Sequence, residues 1–542
     1  MLVLGIGGFM HDYNCVLVDV ENKRIAMTEA ERLSRRKHHV IQPGDDLLEP
    51  IKQVCKDLGV RIRDIDVVAF GHTDDFDCKE DLKRELRGKE FVDVDHHLAH
   101  AAAAFFSSPY LSAAILSVDG FGDGYSTLLA HGKGNQIEEL QRVRDHDSIG
   151  LEYLRATIHL GLGGYGSEGK TQGLAPYGEP TIFDDYMNEI EITSDGIVKL
   201  SDKLRSDESR LAEEGGYLNT QLLNNAFLNA YCPRRIVPEP LTDLHMNLAA
   251  SIQQVLHAVV MQLAQILKRE TGEKDLVLSG GVVMNSSLNG YLMNSGEFEH
   301  VFPLPMASDR GIGLGAALYY IHHIKGVERF FELDAVYYGN EYTDRDATRA
   351  MRKGGLRYEK SADIVAEAAE WVAQGKIIGW FQGRSEMGAR ALGNRSIVAD
   401  PRVAEMKDII NERIKHREWF RPFAPSAAAE TAGEYFDYPE GVADLSYMTF
   451  TVPATEKGKA AVPAVVHLNQ TGRIQMVDCR RNPMYHQLIS KFGELTGVPV
   501  VLNTSFNDMG DPIVESPDDA VETFLKTGMD VLCIGNMIGY KK

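Results

Sequence analysis

Apolar runs broken by glycine mark a repeated plan along the chain. Residues 2–9 read as a buried strand ending in a glycine turn, followed by strands at 14–20 and 23–28. Residues 113–118, 120–124 and 125–131 repeat that succession of strand, Gly/Asp turn and strand. A third junction runs from a strand at 275–279 into Gly280-Gly281. Helical patterns lie between. Apolar residues at 47, 48, 51, 54 and 58 predict a helix over 46–58. The 241–271 segment places them at 248, 252, 255, 256, 259, 260, 263, 266 and 267, close to a 3.6 period and typical of a core-facing helix. Residues 311–324 are small at first and then apolar, which allows close helix approach. A second region starts in the 340s. Gly339 to Asp344 reads as a strand end and helix cap, 362–374 as an amphipathic helix and 376–381 as a strand. Two similar strand–turn–strand blocks, each leading to helices, predict a duplicated α/β unit with a cleft between its halves.

At 542 residues the chain exceeds one ordinary core, and roughly three to four domain-sized units are expected. No linker is long enough to let the two regions move independently. No apolar run approaches the roughly 20 residues of a membrane span, and the first residues lack the basic start of a signal peptide. The cysteines at 15, 55, 78, 232, 479 and 533 form no C-x-x-C pair. A reducing cytoplasm is the expected compartment. The net charge of −21 disfavours nucleic acid as a partner. An anionic ligand must therefore be held by local clusters of Arg, Lys and backbone N–H.

Candidate chemistry centres on Asp95-His96-His97-Leu98-Ala99-His100. In a helix His96 and His100 share one face and can bind one transition metal. Asp119 and Asp309 are candidates for further ligands. Buried or capping histidines are the alternative on spacing alone. His11 and Asp12 follow the first glycine turn. The run GLGGYGSEGKTQGLAPYG, residues 161–178, suits close backbone approach to a nucleotide, with Glu168 and Lys170 beside it. It lacks the Walker spacing. In VDGFGDG the turn includes Gly122; in SGGVVMN, Gly280 and Gly281 precede Asn285. The densest signal is Arg384, Arg390 and Arg395 in GRSEMGARALGNRS, with Arg421 in FRPFAPS. Guanidinium groups among apolar residues need an anion, and the bidentate fork suits phosphate. A structural network with Glu386 and Asp400 is the alternative. Arg473 and Asn503 could complete the pocket.

Taken together, His11-Asp12, DHHLAHA, VDGFGDG, EGK…GLAPYG, SGGVVMN, RALGNRS, FRPFAPS and NTSFN resemble the O-carbamoyltransferases of the nodulation, cephamycin and tobramycin type. The resemblance spans nearly the whole chain. It implies an N-terminal domain (1–342) of the actin/Hsp70/sugar-kinase class, similar to the tRNA threonylcarbamoyl transferase, and a YrdC-like α/β domain (343–542). The second would form carbamoyl adenylate from carbamoyl phosphate and ATP, with Mg(2+) as the accompanying ion; the first would pass the carbamoyl group to a hydroxyl. The implied metal ligands are His96, His100, Asp119 and Asp309, with Fe(2+) or another divalent ion. His11 is the implied base, with Lys37 at the same site. Arg390 and Arg421 match carbamoyl-phosphate-binding arginines, Arg473 and Asn503 more loosely. Asp12, Gly122, Glu168, Lys170, Gly280, Gly281 and Asn285 fall on the nucleotide side. Ala389 stands where the family has proline. The expected partner is a small-molecule hydroxyl acceptor, with no nucleic acid and no membrane; a homodimer is the assembly considered. Hydrogenase-maturation and tRNA-type carbamoyl transfer, and a non-catalytic nucleotide-binding regulator, are the rival readings. The first is disfavoured by the missing C-x-x-C pairs, the second by the acidic charge.

Overall fold

The computed structural model describes residues 1–74, 76–205 and 226–542. Three mixed sheets organise them. In the first, Leu2–Gly7 pairs antiparallel with Asn14–Asp19, which pairs antiparallel with Arg24–Glu29. On its other side Leu2–Gly7 runs parallel to Val67–Phe70, and that strand parallel to Glu90–Asp93. Val3, Leu4 and Ile6 are fully buried, as an uninterrupted apolar strand inside a sheet requires. The second sheet is built from Ser112–Gly122, Tyr125–Lys133, Gln136–Arg144, Asp275–Ser279 and His300–Pro303. Its first three strands are antiparallel and its last two join the first strand in parallel. Both sheets thus share one strand order, third-second-first-fourth-fifth. The third sheet has eight strands, all from residues 357–540, in mixed directions.

The helix Ile312–Leu318 locks the first sheet to the helix His96–Ser107. A Cβ on Gly5 would lie 1.9 Å from the Gly313 carbonyl oxygen, and one on Gly315 would lie 1.8 Å from that of Ala99. Glycine alone allows this approach, which fixes Asp309, three residues ahead of the helix, beside the histidine helix.

Two expectations change. The segment before Thr343 is not a regular strand. Its backbone bonds instead to the 385–387 loop, through Gly339 N to Ser385 O (2.9 Å) and Met387 N to Val336 O (2.8 Å). Thr343 does cap the helix Asp344–Lys353. The helix Asp243–Thr271 is long and apolar enough to cross a membrane by length and composition. Interspersed Ala, Gln and His hide this from a search for continuous apolar runs, yet no charged residue lies between 244 and 267. Two-thirds of its most apolar window (67%) is buried inside the fold, where Leu248, Ile252, Val255, Val259 and Leu263 face the core.

The N- and C-terminal parts interlock. Glu29 accepts from Gly388 N (2.5 Å), Arg32 donates to Gly388 O (2.7 Å), and Arg35 donates to the carbonyls of Ile513 (2.6 Å) and Pro512 (2.9 Å). One apolar core runs from Val3 through to Met537.

Gly315→Ala is expected to lower stability by about 1–3 kcal/mol, because the added carbon must push two helices apart. Gly169→Ala, where a Cβ meets nothing within 4 Å, should cost nothing. Urea denaturation of the two variants checks this.

Candidate active site

Asp95 caps the histidine helix by accepting from Leu98 N (3.0 Å). One turn apart, His96 and His100 point the same way. Their Nε2 atoms lie 3.1 and 3.3 Å from Asp119 Oδ2, and 3.8 and 3.6 Å from Asp309 Oδ1. All four donor atoms fall within 4.8 Å of one another, and all four residues are buried. The other Asp119 oxygen accepts from Gly281 N (2.8 Å). Neither ring nitrogen of His100 makes a well-aligned hydrogen bond among the described residues, although its Nε2 lies beside both carboxylates. Burial pushes the His100 pKa down, but Asp119 and Asp309 outweigh it and raise it to about 9. Burial also opposes ionisation of Asp119, yet His100 and His96 hold it well below the carboxylate range. Two imidazoles and two carboxylates converging there fit one divalent cation.

His11 and Asp12 stand next to this cluster. His11 Nε2 is 3.8 Å from Asp309 Oδ2, and its Nδ1 is 2.8 Å from the Tyr165 hydroxyl. Burial lowers the His11 pKa, but Asp309 and then Asp12 raise it above the usual value. Asp12 adopts a left-handed backbone (φ 60°) and binds Arg310 (2.9 Å) and His38 (3.0 Å). Arg310 also binds Glu31 (3.0 Å) and faces Glu29 (3.6 Å), so this buried guanidinium is fully countered. Lys37 opens into the adjoining cavity. Burial and the nearby Arg310 and Arg421 lower its pKa, against the pull of Glu31.

That cavity, of about 400 Å³, is lined from both parts of the chain. His11, Asp12, Lys37, Asp119 and Glu168 lie on it, with Gly281 and Asn285; so do Arg390, Arg421, Arg473 and Asn503. Arg390 makes one hydrogen bond, to Met284 O (3.3 Å). Its nearest charges are other cations: burial and then Arg473, Arg421 and Arg310 push its pKa well down. Burial, Arg417 and Arg421 bring Arg473 to about 10, and its Nε is buried without a partner. Burial and Arg421 bring Arg417 to about 9. Only Arg421 approaches a carboxylate, Glu418 at 3.9 Å. Among the described residues no carboxylate pairs with Arg390, Arg417 or Arg473. Arg390 and Arg473, desolvated and each lowered by neighbouring guanidinium groups, make an anion site with Arg421; Arg417 stands beside them, donating to Asn411 Oδ1 (2.7 Å) and Pro422 O (3.2 Å). Asn503 is anchored by Ser426 (3.1 Å) and Gln475 (3.0 Å) and keeps its Oδ1 unbonded.

Several residues singled out from sequence lie elsewhere. Gly122 is off the cavity: a Cβ there would lie 2.2 Å from the His96 ring, so the glycine makes room for that imidazole. Gly280 is also off it, held at φ 90° against the Val118 backbone. Lys170 is paired with Glu418 (2.8 Å) at the edge. Arg384 donates to Tyr338 O (2.6 Å), and Arg395 is wholly buried, donating to the carbonyls of Gln382 (2.7 Å) and Asn340 (2.9 Å) over the Phe381 ring. Neither faces the cavity. The carboxylates proposed as their partners do other things. Glu386 accepts three backbone N–H groups of the 392–395 turn, and Asp400 pairs with Arg402. Arg310 and Arg417 went unnoticed in sequence, although each lies within four residues of one that was noticed.

Two family models match the chain: one described as the carbamoyltransferase N-terminus, over residues 78–318, and one as the carbamoyltransferase C-terminus, over 369–541. Nodulation protein NolNO of Sinorhizobium fredii is 38% identical over 570 residues, covering 98% of this chain and 79% of that protein. The 3'-hydroxymethylcephem-O-carbamoyltransferase of Streptomyces clavuligerus is 32% identical over 259 residues, 48% of this chain and 47% of that one. A solved structure of HypF from T. kodakarensis covers 60% of this chain and 48% of its own at 14% identity, with a TM-score of 0.36. The chain belongs to the carbamoyltransferase family and is an enzyme that transfers a carbamoyl group.

Proposed function

We propose that this enzyme is an ATP-dependent O-carbamoyltransferase acting on a hydroxyl of a small molecule. The observation that carries the reading is one cavity with two chemically different parts. Arg390, Arg417, Arg421 and Arg473 gather on it from the C-terminal part; the His96/His100/Asp119/Asp309 cluster and His11 adjoin it from the N-terminal part. The repeated strand order of the first two sheets supports an actin/Hsp70-like duplicated unit over 1–342, and the separate third sheet supports a YrdC-like unit over 343–542.

In this reading carbamoyl phosphate binds the arginines and loses phosphate to water, leaving carbamate. A carbamate oxygen attacks the α-phosphorus of ATP, pyrophosphate departs, and carbamoyl adenylate results. The arginines hold the phosphate charges and stabilise the charge that builds on the leaving groups. The acceptor oxygen then attacks the carbamoyl carbon and AMP leaves. His11, oriented through Nδ1 by Tyr165, takes the acceptor proton. Lys37, on the cavity between the arginines and Glu31, binds the anionic intermediate on its way. His96, His100, Asp119 and Asp309 would hold a divalent cation, iron(II) being the best match to the donors; bound there, it would offset phosphate charge and the Asp309 charge that raises His11. The acceptor class follows the named relative, which carbamoylates a hydroxymethyl group on a small molecule.

Arg421→Ala should reduce carbamoyl-phosphate-dependent pyrophosphate release from ATP at least ~100-fold. His11→Ala should keep that release and lose carbamoyl transfer, read as the mass gain of a hydroxylated acceptor. Pyrophosphate release by Arg421→Ala at the wild-type rate would sink the proposal.

Glu168 adds a pH signature. Burial raises its pKa from the ordinary 4.5 to about 7. The folded chain therefore holds a proton that the unfolded chain gives up, so its stabilising effect is full below pH 4.5 and is lost as pH rises through 7. Glu168→Gln should melt at increasingly higher temperature than the wild type between pH 4.5 and 7, and by a constant margin above that range.

A further inference from the structure

The four-residue cluster uses the Nε2 atom of His96 and leaves its Nδ1 to be explained. That nitrogen lies 3.0 Å from Nε2 of His72, whose own Nδ1 lies 3.2 Å from Asp123 Oδ1. The side chains of both His72 and Asp123 are 2% exposed. His72 follows the strand Val67–Phe70 of the first sheet. Asp123 sits in the turn between two strands of the second, at φ 48°. The line Asp123–His72–His96 thus joins the two sheets behind the cluster.

We propose that His72, backed by Asp123, is a positioning residue that fixes His96 as the Nδ1–H tautomer and so aims the Nε2 lone pair at the metal position. The inference rests on the metal reading above and extends it to residues that touch no ligand. It follows from who can donate. Asp123 already accepts from Thr73 N (2.9 Å) and His96 N (2.8 Å) and has no proton to give. His72 Nδ1 must then be the donor toward it. A neutral imidazole carries one N–H, so His72 Nε2 is a bare acceptor. Among the described residues its partner there is His96 Nδ1, which must donate. A neutral His96 is left with a lone pair on Nε2, 3.1 Å from Asp119 Oδ2, a contact of two acceptors that a cation would relieve. Such an outer hydrogen bond holds the ring plane and raises the ligand's basicity. Gly122 completes the arrangement, since any side chain there would strike the His96 ring. Among the described residues His100 has no comparable support, its Nδ1 being unpartnered there.

The test uses the full chain stripped of metal and titrated with cobalt(II), read by its visible ligand-field absorption and by chelator competition. His72→Leu and His72→Gln fill similar volumes, but only glutamine can accept from His96 with its carbonyl and donate to Asp123 with its amide. His72→Leu should weaken cobalt binding by about 10–100-fold and change the spectrum. His72→Gln should recover most of the affinity, and Asp123→Asn should fall between them. Urea unfolding of the metal-free variants separates this from a loss of fold, which would affect leucine and glutamine alike. Equal affinity and equal spectra for wild type and His72→Leu would overturn the inference, as would equal losses in the leucine and glutamine variants. A wild type that takes up no cobalt overturns the metal reading itself, and this inference with it.

Discussion

A guanidinium taken out of water must meet negative charge, and the molecule meets that demand in two opposite ways. Arg310 lies among Asp12, Glu31 and Glu29, so its charge is consumed within the protein. Arg390 and Arg473 are half-buried on the cavity wall and face other arginines instead. The first arrangement is a joint; the second is a binding site. Replacing the first by apolar residues could leave a stable fold. Removing the carboxylates alone would not, because an uncountered buried cation would remain. The arginine group carries that cost without a paired carboxylate, and an anion entering the cavity would relieve it.

The joint decides where the site is. Glu29 and Glu31 both reach Arg310, while Glu29 also accepts from Gly388 and Arg32 binds the carbonyl of that glycine. Gly388 leads directly into Ala389 and Arg390. The backbone that presents Arg390 is therefore clamped to the strand–helix corner that carries Arg310's partners, Glu29 and Glu31. Two parts of the chain with separate sheets are held in register to within hydrogen-bond distances, with the cavity along the seam.

What could be read from sequence was local. Spacing placed His96 and His100 on one helix face, and glycine turns placed His11, Asp119 and Gly281, because each depends on a few neighbouring residues. The strand at 275–279 and the long helix at 243–271 were legible for the same reason. Arg384, Arg390 and Arg395 look alike in sequence, since all sit among glycine and small residues. Their separation depends on which carbonyls lie nearby in space: Arg395 finds Asn340 and Gln382, and Arg390 finds only Met284 O. Glu386 likewise resembles an arginine partner until its neighbours show three backbone N–H groups waiting for it. Gly122 and Gly280 were read as approach points for a nucleotide, whereas their missing side chains serve the His96 ring and the Val118 backbone. His72 had no signal at all, because nothing in Gly-His-Thr-Asp-Asp hints that it meets a helix 24 residues further on.

The chemistry gives a reason for joining both parts so tightly. A carbamate is a weak electrophile until it is attached to a good leaving group, and the mixed anhydride with AMP is then open to water as well as to the acceptor. Transfer through bulk solution would favour water, which is far more concentrated than any acceptor. In the proposed reaction, a cavity shared by the arginines and His11 would let the intermediate form and react without leaving. The same sharing sets a constraint on charge. A site cationic throughout would hold AMP too well after transfer, and one acidic throughout would not admit ATP. Placing Arg390 and Arg421 on one part of the lining and Asp12, Asp119 and Glu168 on another gives a gradient across a few side chains, and Lys37 on the same lining feels both Glu31 and Arg421. In the proposed reaction the arginines would draw the anion in, and the carboxylates would favour its release once its carbamoyl group has gone.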